Sequence, residues 1–381
     1  MSPDLRSRLR SPLSLALVGL VVLVLLAGII GHLGDSAPAA DAATGGSEES
    51  PSSTTPPPST PSSGEQVSPS SATPTQPSTQ PSTQPSTQPP TAEGTPGTDG
   101  ALTTDPPSYV VPAGPAISPM PQLPGGGYRI FGGHRFLVAY YGTAQTGAMG
   151  VLGTADPDTM QRRLMRAARP FREPGEHIQP VYELIVTIAD RSPGPDHDYS
   201  HDIPRALVQR YVDAAHRHGA LLLLDLQTGR SAFPVVARRW AWALEKPWVG
   251  LALDPEWRMG PHQVPASVVG SVRAAEVNRT SLWLSRLVRR EGLPQKLFVL
   301  HQFRLTMLPD IGEIVHRPGL AMVQHADGFG TQHEKLATYH AITRPHQFRQ
   351  GFKLFYHWDI HRFTPREVRR IRPGVSFVSF Q

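Results

Sequence analysis

The chain has 381 residues, 36 Lys and Arg against 31 Asp and Glu, and no cysteine. The missing thiol excludes disulfides, thiolate metal centres, cysteine catalysis and a lipidated N-terminal cysteine. Composition is uneven along the chain, so it divides into regions before it can be read as a fold.

Arg6, Arg8 and Arg10 precede an uncharged, almost wholly apolar run from Leu13 to Gly31. At ~1.5 Å per residue, such a run comes close to spanning a ~30 Å hydrocarbon core. Basic residues before the span and none just after it predict a cytoplasmic N-terminus and everything downstream outside. Residues 1–34 therefore read as a basic tip and a transmembrane signal anchor of a single-pass cell-membrane protein. A secretory signal peptide cleaved near Ala37-Pro38-Ala39 is the alternative, leaving the protein secreted, but its apolar region is usually only ~7–15 residues.

Residues 35–127 are rich in Ser, Thr, Pro, Gly and Gln, and "PSTQPSTQPSTQ" (77–88) repeats one tetrapeptide. This composition cannot bury enough apolar surface to offset its ordering entropy, which predicts a disordered linker. Residues 128–381 then form the folded domain. It carries 33 basic and 22 acidic residues, a formal charge of +11. That balance points to an anionic polymer or surface. Outside a membrane, nucleic acid is not expected, and a cell-envelope or environmental glycan is.

Strand-like apolar runs recur through the domain: "FLVAYY" (136–141), "YELIVTI" (182–188), "ALLLLDL" (220–226) and "VGLALD" (249–254). Four more follow: "KLFVLHQ" (296–302), "LAMVQH" (320–325), "KLFYHW" (353–358) and "SFVSFQ" (376–381). Continuous apolar runs suit parallel strands covered on both faces. Asp156-Pro157 opens a helix with an N-cap and an N1 proline. Pro204 opens another, which Gly219 closes. "FPVVARRWAWALEK" and "NRTSLWLSRLVRREG" continue the alternation, and shorter helices are predicted near 331–342 and 365–371. Eight strands alternating with helices predict an α/β fold, a (β/α)8 TIM-like barrel. An open doubly wound sheet is the alternative. No helix follows the last run, and "GGGYRIFGGHRF" before the first strand is the candidate cover for the barrel floor.

Active sites of such barrels sit at the C-terminal ends of the strands, and polar residues gather there. Tyr141 closes the first strand. Asp225 and Gln227, and likewise Asp254 and Glu256, are two apart and so share a face. His301 and Gln302 end the fifth strand, His325 and Asp327 the sixth, and His357, Trp358 and Asp359 the seventh. A lone acid at a strand end usually caps a helix. Several at one rim repel and resist ionisation, an arrangement that needs a task.

The domain resembles secreted or membrane-tethered glycoside-hydrolase-like barrels of bacteria, many of whose members have no assigned activity. "LLLLDLQTGR", "VGLALDPEW" and "FVLHQFR" carry the likeness. Asp-x-Glu at the end of strand four is similar to the catalytic strand of chitinase-type glycosidases and barrel-shaped muramidases. The resemblance implies Glu256 as general acid with Asp254 supporting it. It departs from the chitinase pattern at Ala252, where that family has a further Asp needed for substrate assistance.

These readings combine into an expected extracytoplasmic glycoside hydrolase. Glu256 is the acid, and Asp359 or Asp254 is the second carboxylate. Asp225, Gln227, His301, Gln302, His325, Asp327 and His357 are the sugar-binding residues. Trp257, Trp358 or Tyr141 stacks on a sugar face. A non-catalytic glycan-binding barrel is one rival. The other is a metal-dependent hydrolase built on His301, His325, Asp327, His357 and Asp359, although the first strand lacks a His-x-His. No cofactor or metal is expected. "DHDYSHD" (196–202) reads as a polar loop, and the glycine clusters lack a phosphate loop's strand–glycine–helix setting.

Overall fold

The computed structural model describes residues 119–381, and the anchor and most of the linker lie outside the described residues. No helix among the described residues is long and apolar enough to cross a membrane.

Eight parallel strands pair side by side and close on themselves. They are β1 (Arg135–Thr143), β2 (His177–Ala189), β4 (Leu221–Leu226), β5 (Val249–Leu253), β6 (Lys296–Gln302), β7 (Leu320–Ala326), β8 (Arg349–Leu354) and β9 (Val375–Phe380). β1 pairs with both β2 and β9, which makes the sheet a barrel and removes the open, doubly wound alternative. A short β3 (Ser200–Asp202) runs antiparallel to the end of β2.

Helices pack outside. α1 (Pro157–Ala168) starts as the sequence predicts, with the Asp156 carboxylate accepting from Thr159 N at 2.9 Å and Met160 and Leu164 buried. α2 (Arg205–His218) ends at Gly219, whose φ of 62° is the left-handed geometry glycine adopts freely. The third predicted helix breaks at Trp240 into α3 (Phe233–Arg239) and α4 (Ala241–Leu244). α5 (Ala274–Arg290), α6 (Gln332–Ile342) and α7 (Pro365–Arg370) complete the set, and the last two start in capping boxes at Thr331 and Thr364.

Strand alternation sorts the apolar residues into two bodies. Outward-facing side chains such as Val138, Leu222, Leu224, Leu300 and Phe352 join the helices in one core. Inward-facing Leu137, Ala139, Val181, Leu223, Val299, Val323 and Phe377 fill the barrel. Leu123 and Ile130, from the segment before β1, belong to that inner body, so this segment does cover the floor. Leu123, which the sequence reading assigns to the linker, is buried.

One strand is shifted. The sequence places the seventh at 353–358, but β8 runs from Arg349 to Leu354. Its inward positions are Gly351 and Lys353, so the apolar run that should mark it is broken. Only glycine fits at 351, since a Cβ there would stand 2.2 Å from the His325 ring. "YHWD" consequently falls in the turn beyond the strand.

Candidate active site

Above the apolar filling, the inward positions turn polar. Glu183, Asp225, Asp254, His301, His325, Lys353 and Ser379 are all buried there. Six different strands contribute to this layer (β2, β4, β6, β7, β8 and β9), and Asp254 follows directly on β5. Lys353 of this layer also lines a cavity of about 310 Å³ at the C-terminal mouth. Tyr141, Gln227, Glu256 and Asp327 line the cavity. Trp257, Phe303, Phe329, Phe355 and Trp358 supply aromatic wall.

His301 is central to the layer. Its Nε2 lies 3.1 Å from Glu183 Oε1 and 3.4 Å from Asp225 Oδ2, and its Nδ1 lies 3.2 Å from Asp327 Oδ2. Lys353 Nζ stands 3.0 Å from each Asp327 oxygen and 3.4 Å from the centre of the Tyr141 ring. Tyr141 O–H donates to Asp254 Oδ2 at 3.4 Å, and Gln227 Nε2 reaches the same oxygen at 3.4 Å. The His325 ring lies 5.0 Å from that of His301, with Nε2 3.4 Å from Ser379 Oγ.

Proton affinities diverge within this small volume. Burial raises Glu256, and the neighbouring Asp254 and Asp327 carboxyls push it further, well above the usual range. Burial and Asp254 do the same to Asp225, and burial lifts Asp254 to about 6. Asp327 goes the other way: burial opposes its charge, but Lys353 and His301 together hold it well below the ordinary value. Burial also opposes the charge of Glu183, but the attraction of His301, His325 and Lys353 outweighs that desolvation and lowers its pKa. Burial would strip the proton from His301, yet Asp327 and Glu183 raise its pKa well above normal. His325, buried beside that cation, falls to about 3 and is neutral.

Most residues singled out in the sequence meet here. Tyr141, Gln227, Glu256, Trp257, Asp327 and Trp358 line the cavity, while Asp225, Asp254, His301 and His325 are buried behind that lining, where Asp254 meets Tyr141 and Gln227 and His301 meets Asp327. Glu256 projects from a single 3-10 turn, Pro255–Trp257, rather than from the strand itself.

Three residues do not join the site. Asp359 Oδ1 pairs with Lys335 Nζ at 2.9 Å and its Oδ2 accepts from Phe355 N, so it braces the turn after β8 and does not line the cavity. His357 is exposed on the same turn, a consequence of the shifted strand. Gln302 faces outward from β6, where its Oε1 accepts from Gln324 Nε2 at 2.7 Å and its Nε2 donates to Arg304 O. Sequence reading missed Glu183 and Lys353. Glu183 is a lone acid between apolar neighbours in β2, whereas Lys353 shares the polar-interrupted β8 with Arg349 and Gln350, so neither carries a local signal of facing inward.

The fold and this rim define an α/β barrel with a charged, aromatic-walled cavity at its C-terminal mouth. No protein-family model and no curated protein sequence matches the chain.

Proposed function

We propose that the barrel hydrolyses a glycan, with Glu256 as general acid and Asp327 as its ionised partner. The observation that carries this reading is the opposed surroundings of two cavity-lining carboxyls: Lys353 and His301 stand against Asp327, whereas Glu256 stands beside the Asp254 and Asp327 carboxyls. Pairs whose surroundings drive their pKa values apart divide naturally into acid and base or nucleophile. Asp254, Glu256 and Asp327 each place an oxygen within 4.8 Å of the others. A short separation suits the retaining geometry, near ~5–5.5 Å, better than the ~6.5–9.5 Å that leaves room for an inverting water.

In that scheme Asp327 attacks the anomeric carbon while Glu256 gives its proton to the departing glycosidic oxygen. The resulting glycosyl ester on Asp327 is then cleaved by water, which Glu256, now a carboxylate, deprotonates. Lys353 and His301 keep Asp327 charged, and Asp254 helps keep Glu256 protonated. The aromatic wall offers apolar faces for sugar rings, which expose C–H groups on one side and hydroxyls at the edge. Arg191 at the cavity and the basic balance of the domain favour an anionic glycan.

A binding module needs no acid pair so close together, so the opposed carboxyls favour turnover. Of the five residues that a metal-dependent hydrolase was expected to use, His357 and Asp359 point elsewhere. Placement outside the membrane belongs to this proposal, since it rests on residues 1–34.

A hydrolysis panel of neutral and anionic polysaccharides, run on the full chain, is the test. Glu256→Gln should keep the fold and lower kcat by ~10²-fold or more, the usual scale of general acid catalysis. An active chain in which Glu256→Gln keeps most of its kcat removes Glu256 from the mechanism.

A further inference from the structure

Beneath the cavity, four carboxylate oxygens lack hydrogen-bond donors: both of Glu183 and both of Asp225. Both residues are fully buried. Fully buried polar atoms normally have partners, and orphaned ones call for an explanation. His301 Nε2 approaches one oxygen of each, at 3.1 and 3.4 Å, but makes a well-aligned hydrogen bond to neither. The nitrogen sits between two carboxylates without being aimed as a donor to one.

That spacing has another reading. Ligand atoms bound to one ion at ~2.0–2.2 Å stand ~3.0–3.4 Å apart at octahedral to tetrahedral angles. One atom each from Glu183, Asp225 and His301 lies within 4.8 Å of the other two. The second ring nitrogen of His301, Nδ1, lies 3.2 Å from Asp327 Oδ2, also without a well-aligned hydrogen bond. Metal-bound histidines commonly have a carboxylate behind the ring in this way, which fixes the tautomer and turns the other nitrogen to the ion. The donor set, one imidazole and two carboxylates, suits zinc or manganese and lacks the soft sulfur that copper(I) prefers.

We propose that Glu183, Asp225 and His301 bind one divalent transition-metal ion, zinc or manganese, beneath the acid pair. The ion replaces a proton on Nε2 and neutralises two carboxylates that the dry interior would otherwise leave exposed to each other. With its ring turned to hold the ion, His301 then donates Nδ1–H to Asp327, so the ion positions that carboxylate without touching substrate. The site does not depend on the glycan reading.

Metal content decides it. The full chain, purified without chelator and dialysed, should hold about one equivalent of zinc or manganese by mass spectrometry. After chelator treatment it should rebind Zn2+ and lose its Co2+ visible absorption band on Zn2+ addition. The double variant Glu183→Gln, Asp225→Asn should weaken Zn2+ binding by at least ~10²-fold, judged on protein with native near-UV circular dichroism. A wild-type chain with neither stoichiometric metal nor a Co2+ band overturns the proposal, whether or not the variant folds. A folded double variant that binds Zn2+ as tightly as wild type places the ion elsewhere and overturns it too.

Discussion

Lys353→Met should expose the dependence of the whole polar layer on one ammonium group. Nζ lies 3.0 Å from both Asp327 oxygens, and the two side chains are only 2% and 5% exposed. At an effective dielectric near 20 the gross attraction is about 5 kcal/mol, which the desolvation of both groups partly offsets. Removing one partner is the harsher event, because it strands the other charge. Such deletions cost about 3–5 kcal/mol. For a domain of this size that corresponds to a fall of roughly 6–20 °C in Tm.

The sign of the pH dependence is a sharper check. In the wild type, Asp327 is held below its unfolded value, so its contribution is present above about pH 4 and is lost as pH falls through the folded value. Without Lys353 the burial penalty on Asp327 prevails and raises it. The stability deficit of the variant should then grow from pH 4 to pH 8, as read by urea unfolding at each pH. A deficit below about 1 kcal/mol at pH 7, or one that is flat across this range, would refute the account of the layer.

Asp359→Asn should leave Lys335 buried without its counter-ion and lower stability by about 3–5 kcal/mol, while turnover per folded molecule stays near wild type. Loss of kcat in the folded fraction would return Asp359 to the site. Asp254 sits at about 6 against ~3.9 when unfolded, so it favours folding below about pH 4 and loses up to about 3 kcal/mol of that as pH rises through 6. Asp254→Asn should flatten this part of the stability profile, and an unchanged slope between pH 4 and 7 would contradict the assignment. Gly351→Ala should cost about 1–3 kcal/mol by overpacking against His325, and wild-type stability in thermal unfolding would show that the ring can move aside.

The barrel was legible because its outward faces and most of its inward ones are apolar, giving uninterrupted runs such as Leu221–Leu224. The site was legible where a carboxylate or histidine ended such a run, as at Asp225, Asp254, His301 and His325. It was obscured where charge entered a strand earlier. Glu183 lies in the middle of β2, opposite Tyr141, with apolar neighbours on both sides in sequence. Nothing local marks such a residue as inward-facing; only closure of β1 on β2 does. On β8 the inward glycine and lysine erased the apolar signal, and a window shifted by four residues looked better. That slip brought His357 and Asp359 to an apparent strand end and hid Lys353 at the real one.

The hidden lysine also explains how two chemically equivalent carboxyls come to differ. Glu256 and Asp327 share one rim and have oxygens within 4.8 Å of each other, so proximity alone would let either hold the proton. Asp327 has the Lys353 ammonium against both oxygens and the His301 ring below. Glu256 stands instead beside Asp254 and Asp327, and each disfavours its ionisation. The assignment of acid and ionised partner therefore follows from β8 and β6 as much as from the Asp-x-Glu motif. In the proposed mechanism Glu256, after β5, provides the proton, and the cations across the barrel determine which carboxyl does without one.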